Sequence, residues 1–289
     1  MKKPVILVTG ANGQLGREFR ALERKFGYFQ FVFATRDELP IQEEERLIHF
    51  FSEHRPAYCI NCAAYTMVDK AESDQGMAFL INAAATGLLA AVSKQFNTNL
   101  IHISTDYVFD GQSSVPYTEK DNTHPVNVYG ASKLEGEKQC LQNDPDAIII
   151  RTSWVYSAYG NNFVKTMLRL MKEKEFVNVV NDQVGTPTYA ADLAEVIMNI
   201  IAGGSWHPGI YHYSNSGNIS WYEFAQAIKE LSGISCQVNP IPAAGYPTPA
   251  KRPSFSLLNT AKIEKTFSIT IPGWRTSLEK CLHLLKDHS

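Results

Sequence analysis

Tyr129 and Lys133 stand four residues apart in Tyr129-Gly130-Ala131-Ser132-Lys133. In a helix that spacing sets both side chains on one face. A nearby ammonium stabilises a phenolate and so lowers a tyrosine's pKa toward the working range. A tyrosine tuned in this way protonates the oxygen formed when hydride reaches a carbonyl. Lys133 also suits a ribose hydroxyl of a nicotinamide cofactor. Upstream, Ser104-Thr105-Asp106 closes an apolar run, and strand C-termini are where ligands bind in open α/β sheets. Thr105 there suits the same carbonyl oxygen, with Ser104 as the competing hydroxyl. Alternation along Leu100–Ser104 leaves the choice between them open. The bland alternative is a surface Tyr–Lys pair and a strand-end threonine cap.

A second constellation is Gly10-Ala11-Asn12-Gly13-Gln14-Leu15-Gly16, directly after Val5-Ile6-Leu7-Val8-Thr9. Glycines permit positive φ and close approach of the backbone to a pyrophosphate, and the helix that follows offers N–H groups and a positive dipole end. A glycine triplet alone is weak evidence; its context, first strand into first helix, gives it weight. Thr35-Arg36-Asp37-Glu38 follows the second apolar run. An acidic residue at that point binds ribose hydroxyls and favours NAD, whereas an arginine pairs with the 2′-phosphate of NADP. Arg36 comes first, so the reading favours NADPH, with NADH tolerated.

These residues need a scaffold. Short apolar runs at Val5–Thr9, Phe31–Ala34, Tyr58–Asn61, Leu100–Ser104 and Ala147–Arg151 alternate with amphipathic stretches near 14–26, 43–54, 74–96 and 128–143. Continuous apolar strands separated by helices predict a parallel sheet covered on both faces, and right-handed crossovers then give a doubly wound α/β layer. After Arg151 the rhythm breaks. Helices are expected near 161–174, 189–202, 220–232 and 274–286, between loops rich in Pro, Gly, Asn and Ser at 203–218 and 239–256. The run from Asn239 through Pro249 fits neither a central strand nor a helix. The expected division is residues 1–152 as the nucleotide-binding domain, rejoined by part of 176–214, and residues 153–289 mainly as a smaller substrate-binding domain.

With 289 residues, 44% hydrophobic and 19% charged, the chain is an ordinary globular one. Its 27 basic and 29 acidic residues give a net charge of −2, without the basic excess of a nucleic-acid binder. No apolar run approaches the roughly 18 residues of a membrane span. Five cysteines with irregular spacing argue against a disulfide framework and for reduced thiols, hence the cytoplasm. Cys59 and Cys62 form a C-x-x-C, but on a strand they point to opposite faces.

Longer motifs carry a resemblance. The G-x-x-G-x-x-G spacing is the one found in extended short-chain dehydrogenase/reductases, and several blocks closely resemble the dTDP-4-dehydrorhamnose reductase family: Gly13-Gln14-Leu15-Gly16, Asn61 to Glu72, Ser104-Thr105-Asp106-Tyr107-Val108-Phe109-Asp110-Gly111, Asn127-Val128-Tyr129-Gly130, Arg151 to Tyr156 and Asn181 to Thr188. The resemblance runs from the glycine turn to Arg252-Pro253. It implies a Rossmann-type doubly wound parallel sheet with a smaller C-terminal substrate-binding domain. It also implies NAD(P)H-dependent reduction of the C4 ketone of dTDP-4-dehydro-L-rhamnose to dTDP-L-rhamnose, the last step of dTDP-rhamnose synthesis. Thr105, Tyr129 and Lys133 become the catalytic trio. Gly10, Gly13, Gln14, Leu15 and Gly16 lie under the pyrophosphate, with Arg36, Ala63, Ala64, Tyr65, Tyr129 and Lys133 completing the cofactor groove. Asp106 and Trp154 match substrate-contacting positions, and Asn162 and Arg252 are assigned to the nucleotide-diphosphate end. For Trp154 the alternative is core packing, and for Arg252 a loop-anchoring salt bridge.

Two departures from the family stand out. Pro40 replaces an Asp that reaches toward adenine. Some members hold a metal through carboxylates at a dimer interface; Glu18 matches one such position, but Ala191 replaces another. The expectation is therefore no metal, and a monomer or weak homodimer acting on a small molecule, with no nucleic-acid or membrane partner. Two rival functions follow from the same resemblance. One is a nucleotide-sugar epimerase or dehydratase, for which Asp106 beside the threonine would be the extra acid. The other is a non-enzymatic NADP-binding regulatory subunit, against which the intact trio speaks.

Overall fold

A computed structural model describes residues 3–287. In chain order the elements are β1 (Val5–Thr9), α1 (Gln14–Leu22), β2 (Gln30–Ala34), α2 (Glu44–His54), β3 (Tyr58–Asn61), α3 (Val68–Ala71), α4 (Gln75–Phe79), α5 (Ala85–Gln95), β4 (Asn99–Thr105), α6 (Val128–Asn143) and β5 (Ile148–Thr152). They continue with β6 (Val155–Tyr156), α7 (Phe163–Glu173), β7 (Phe176–Val180), β8 (Val184–Gly185), β9 (Thr188–Tyr189), α8 (Ala190–Ala202), β10 (Gly209–His212), β11 (Ile219–Ser220), α9 (Trp221–Ser232), β12 (Gln237–Ile241), α10 (Ala261–Phe267) and α11 (Trp274–Asp287).

Among the described residues the central sheet has six strands in the order β10-β5-β4-β3-β1-β2, with every neighbouring pair parallel. Its strands are apolar on both faces. Ile6, Val8, Ile60, Ile101 and Ile148 pack with α1 and α8 on one side. Leu7, Cys59, Leu100 and Ile149 pack with α2 and α5 on the other. This is the doubly wound arrangement expected. Strand order reverses between β1 and β3, and a crevice opens at the C-terminal ends of strands at such a switch point. A separate apolar cluster joins α7, β7, α9, β12 and α11.

The departures from expectation are local. The stretch 203–218, read as loop, contains β10, a sixth parallel strand paired with β5. It is only four residues long and flanked by glycine and proline, so it carries no periodic signal. β12 includes Pro240, which is tolerated because its two-stranded sheet with β7 consists only of edges. α10 is an addition. The helix expected over 74–96 contains a π-helical turn, Leu80–Ala84, between α4 and α5. The helical run Gln75–Gln95 is also, by length and composition, apolar enough to cross a membrane, which corrects the expectation that no run comes near. That run packs against α6 as part of the core. Cys59 and Cys62 lie against opposite faces of the sheet, and burial pushes both thiols far up. That is the reverse of a redox pair.

Candidate active site

The glycine turn forms a cradle. Gly10 has φ +63°, and a Cβ there would stand 2.7 Å from the Ala63 nitrogen and 2.8 Å from the Cys62 carbonyl. A Cβ on Gly16 would stand 2.6 Å from the Gly10 oxygen. Side chains at either point would drive β3, β1 and α1 apart. α1 begins at Gly13 without a side-chain cap. Its first-turn N–H groups lie at the crevice, with a positive dipole end suited to a pyrophosphate. Leu15 is buried beneath the turn. Gln14 Oε1 accepts from Asn162 Nδ2 at 2.9 Å. Ala63, Ala64 and Tyr65 run on from the tip of β3. The Tyr65 backbone is held at both ends by the Asn82 amide (2.8 and 3.0 Å), from the π-helical turn. Arg36 is exposed just beyond β2, on the same edge. A dinucleotide thus fits the cradle, the bare helix end and the cation.

β4 and α6 carry the groups that the sequence reading singled out as reactive. α6 is capped by Asn127, whose Oδ1 accepts from the Gly130 N–H at 2.8 Å, while Glu72 accepts from the Val128 N–H at 2.9 Å. Two glycines let the helix settle. A Cβ on Gly130 would lie 2.1 Å from the Tyr107 oxygen, and one on Gly136 would lie 1.9 Å from the Asn82 oxygen. The ambiguity between Ser104 and Thr105 resolves. Ser104 Oγ donates to Glu137 Oε1 at 2.5 Å, within a buried network in which Glu137 also pairs with Arg151 at 2.7 Å. Thr105 Oγ1 instead faces the Tyr129 phenol and donates to Asp106 Oδ1 at 3.0 Å.

The electrostatics differ from expectation at Tyr129. Desolvation pushes the phenol up to about 12, opposed by the Thr105 hydroxyl. Lys133 does not pull it down. Its side chain is buried and donates to the Ile103 carbonyl at 2.7 Å, with His102 Nε2 at 3.3 Å. Burial lowers Lys133 to about 8. Asp106 is buried, and its Oδ2 completes no hydrogen bond. Burial lifts its carboxyl to about 7, against the nearby Ser256 and Thr105 hydroxyls.

The remaining residues are placed less uniformly. Trp154 has φ +46°, a strained value for a bulky residue. Its ring stacks on Trp221 at 3.6 Å and 10°, so one indole face is already covered. Arg252 forms a bidentate pair with Asp69, both contacts 2.7 Å, which is the loop-anchoring arrangement. Asn162 caps α7, and its amide hydrogens go to Gln14 and the Ser157 carbonyl. It therefore joins the glycine turn to the C-terminal part of the chain. Glu18 is buried and accepts from Ser157 Oγ at 2.6 Å; burial raises it to about 6. Among the described residues no cluster of three metal-ligating side chains occurs. Sequence reasoning passed over His102 and Asn61. Asn61 ends β3 and His102 lies beside it in the middle of β4, and the two form a buried chain to Lys133. A histidine inside an apolar strand and an asparagine closing its neighbour were the available signal.

Fold and site together define a class, the Rossmann-type short-chain dehydrogenases/reductases. A family model described as the RmlD substrate binding domain matches residues 3–286. A dTDP-4-dehydrorhamnose reductase of Aggregatibacter actinomycetemcomitans is 42% identical over 285 residues, covering 95% of this chain and 97% of that protein. Two solved dTDP-4-dehydrorhamnose reductases superpose with a TM-score of 0.94 each. That of Clostridium acetobutylicum is 41% identical, covering 98% of this chain and 99% of that one. That of Bacillus anthracis, in complex with NADP, is 38% identical, covering 98% and 100%. The chain belongs to the dTDP-4-dehydrorhamnose reductase family.

Proposed function

We propose that the protein reduces the C4 ketone of dTDP-4-dehydro-L-rhamnose to the alcohol of dTDP-L-rhamnose, completing dTDP-rhamnose synthesis. The observation that carries this reading is the meeting of Thr105, Tyr129 and Lys133 at the strand ends beside the Gly10–Gly16 cradle. When bound, NADPH supplies the hydride. Gly10, Gly13, Gln14, Leu15 and Gly16 would hold its pyrophosphate, Arg36 its 2′-phosphate, and Ala63, Ala64, Tyr65 and Lys133 its nicotinamide half. NADH, lacking the phosphate for Arg36, is the poorer donor.

As negative charge develops on O4, Tyr129 gives up its phenolic proton to that oxygen. Thr105 donates to the same oxygen, turning its hydroxyl from Asp106. The raised value of Tyr129 keeps it protonated until then. Asp106 offers its open Oδ2 to a sugar hydroxyl, and the exposed edge of Trp154 bounds the ring. Arg252, fixed by Asp69, borders the diphosphate. Asn162 we assign to holding Gln14 and α7 rather than to substrate.

The sheet with α8, β10 and α10 forms the nucleotide half; the chain after residue 152 otherwise mainly forms the sugar half. We take the working unit to be a cytoplasmic monomer or weak homodimer, and the five unpaired cysteines support a reducing compartment.

Mixing the protein with dTDP-4-dehydro-L-rhamnose and NADPH, with NADH in parallel, tests this. Saturable oxidation, faster with NADPH and reduced about 10²–10⁴-fold in Tyr129→Phe, is expected. Bound NADPH that is never oxidised would contradict it, and a co-purified cofactor recycled without net loss would point to an epimerase.

A further inference from the structure

Trp154 is a bulky residue in a left-handed backbone conformation, φ +46°. Such a residue keeps that conformation only when its surroundings over-determine it. It lies in the two-residue corner between β5 and β6. One later stretch of chain ties this corner down. The Trp154 carbonyl accepts from the Thr188 N–H at 3.2 Å, and Ser153 Oγ donates to the Thr186 carbonyl at 2.7 Å. These bonds fix the backbone. They leave the direction of the indole to its side-chain contacts.

One small sheet brings two of those contacts together. β8 and β11 pair antiparallel, with Gly185 opposite Ile219. Gly185 lies against the Trp154 ring: a Cβ there would stand 2.7 Å from its Cε2 and Cζ2. Two residues beyond Ile219, Trp221 opens α9 and stacks on Trp154, with centroids 3.6 Å apart and planes within 10°. Trp221 is itself held. Ser220 before it forms a capping box with Glu223, which fixes the start of the helix, and Phe163 packs against its ring at 4.6 Å. Trp221 is thus anchored in the C-terminal apolar cluster, not on the sheet that carries the cofactor cradle. Both indoles remain half-buried, so the stack is not sealed in the core.

We propose that Trp221 is a positioning residue for the sugar subsite. It acts through Trp154, holding that indole in the orientation in which its exposed edge bounds the sugar ring, while Gly185 keeps the clearance that orientation needs. The part Trp154 plays at the sugar rests on the reductase reading; the hold of Trp221 on Trp154 does not. An indole fixed before the ligand arrives spares the ordering of that side chain on binding, which is worth about 2–10-fold in affinity. NADPH gains nothing from it, because its cradle is built from β1, β3 and α1.

The test begins with the free protein labelled with 5-fluorotryptophan. Of the four tryptophans, Trp154 gives the ¹⁹F signal that vanishes in Trp154→Phe. In Trp221→Leu that signal should move and broaden, as the indole loses the ring over its face. In Trp221→Phe, which keeps an aromatic ring, it should stay close to its wild-type position. Binding of dTDP-L-rhamnose, and KM for the keto sugar, should weaken about 2–10-fold in Trp221→Leu and recover in Trp221→Phe, while kcat and the affinity for NADPH stay at the wild-type level. The double variant Trp154→Leu/Trp221→Leu should bind no worse than Trp154→Leu alone, because Trp221 acts only through Trp154. A Trp154 signal unmoved by Trp221→Leu, or losses that add in the double variant, would overturn the proposal. Should Trp221→Leu not fold, Trp221→Met, which fills the space without a ring, serves in its place. Wild-type protein that binds no dTDP-L-rhamnose would sink the reductase reading instead, and the ¹⁹F signals of the free protein would still decide whether Trp221 holds Trp154.

Discussion

Asp106 shows most clearly how a single residue is shaped by its surroundings. It is buried with one oxygen unpaired, a cost that packing alone would not retain. Its carboxyl stands at about 7 in the folded protein, against about 3.9 in an unfolded chain. A raised folded value means that its contribution is fully present below the unfolded value and is lost as pH climbs through 7. Asp106→Asn removes that loss while keeping an acceptor for Thr105. Its Tm advantage over wild type should therefore be small near pH 4.5 and grow toward pH 8, by the equivalent of a few kcal/mol, while sugar turnover falls. Thermal melts across that range check it; a constant difference would mean that Asp106 is ionised throughout. Thr105, Tyr129 and Lys133, the trio we propose, stood out in the sequence through helical spacing and a strand end. The choice between Thr105 and Ser104 was not legible there, because which hydroxyl meets Glu137 depends on how α6 lies. The direction of the Tyr129 shift was missed because spacing reveals neighbours but not desolvation.

At the scale of elements, α6 matters most because it carries both Tyr129 and Lys133. It approaches Asn82 of the π-helical turn so closely that only Gly136 fits. Gly136→Ala would force backbone apart at 1.9 Å, an overpacking cost of about 1–3 kcal/mol or more. We expect a Tm lower by several degrees and reduced turnover, because the helix must shift with its reactive groups. Wild-type melting and kinetics in that variant would show that the contact does not position α6. The five strands read from sequence match within a residue or so at each end, since parallel strands buried on both faces are continuous apolar runs. β10 escaped because four residues between glycine and proline turns carry no such run. The π-helical turn escaped because its composition is that of an ordinary helix. The resemblance to the reductase family assigned Asn162 and Arg252 to the nucleotide-diphosphate end; that Asn162, which also caps α7, ties to Gln14 and that Arg252 pairs with Asp69 was not legible, because both partners lie far away in sequence.

The whole molecule joins a nucleotide-binding sheet to later segments through a few polar ties, Gln14–Asn162, Glu18–Ser157, Asn127–Lys251 and Asp69–Arg252. They close around the strand ends where the proposed trio stands. Such a site brings a bound hydride donor and a ketone together over a proton donor. The central claim is therefore the direct transfer of hydride to C4 of the sugar. The most direct measurement supplies NADPH deuterated at the nicotinamide C4, on the transferred face, with dTDP-4-dehydro-L-rhamnose, and locates the label in the product by NMR. One deuterium at sugar C4, with one NADPH oxidised per sugar, is the predicted result. A product without label at C4, or conversion with no net oxidation of NADPH, would contradict it.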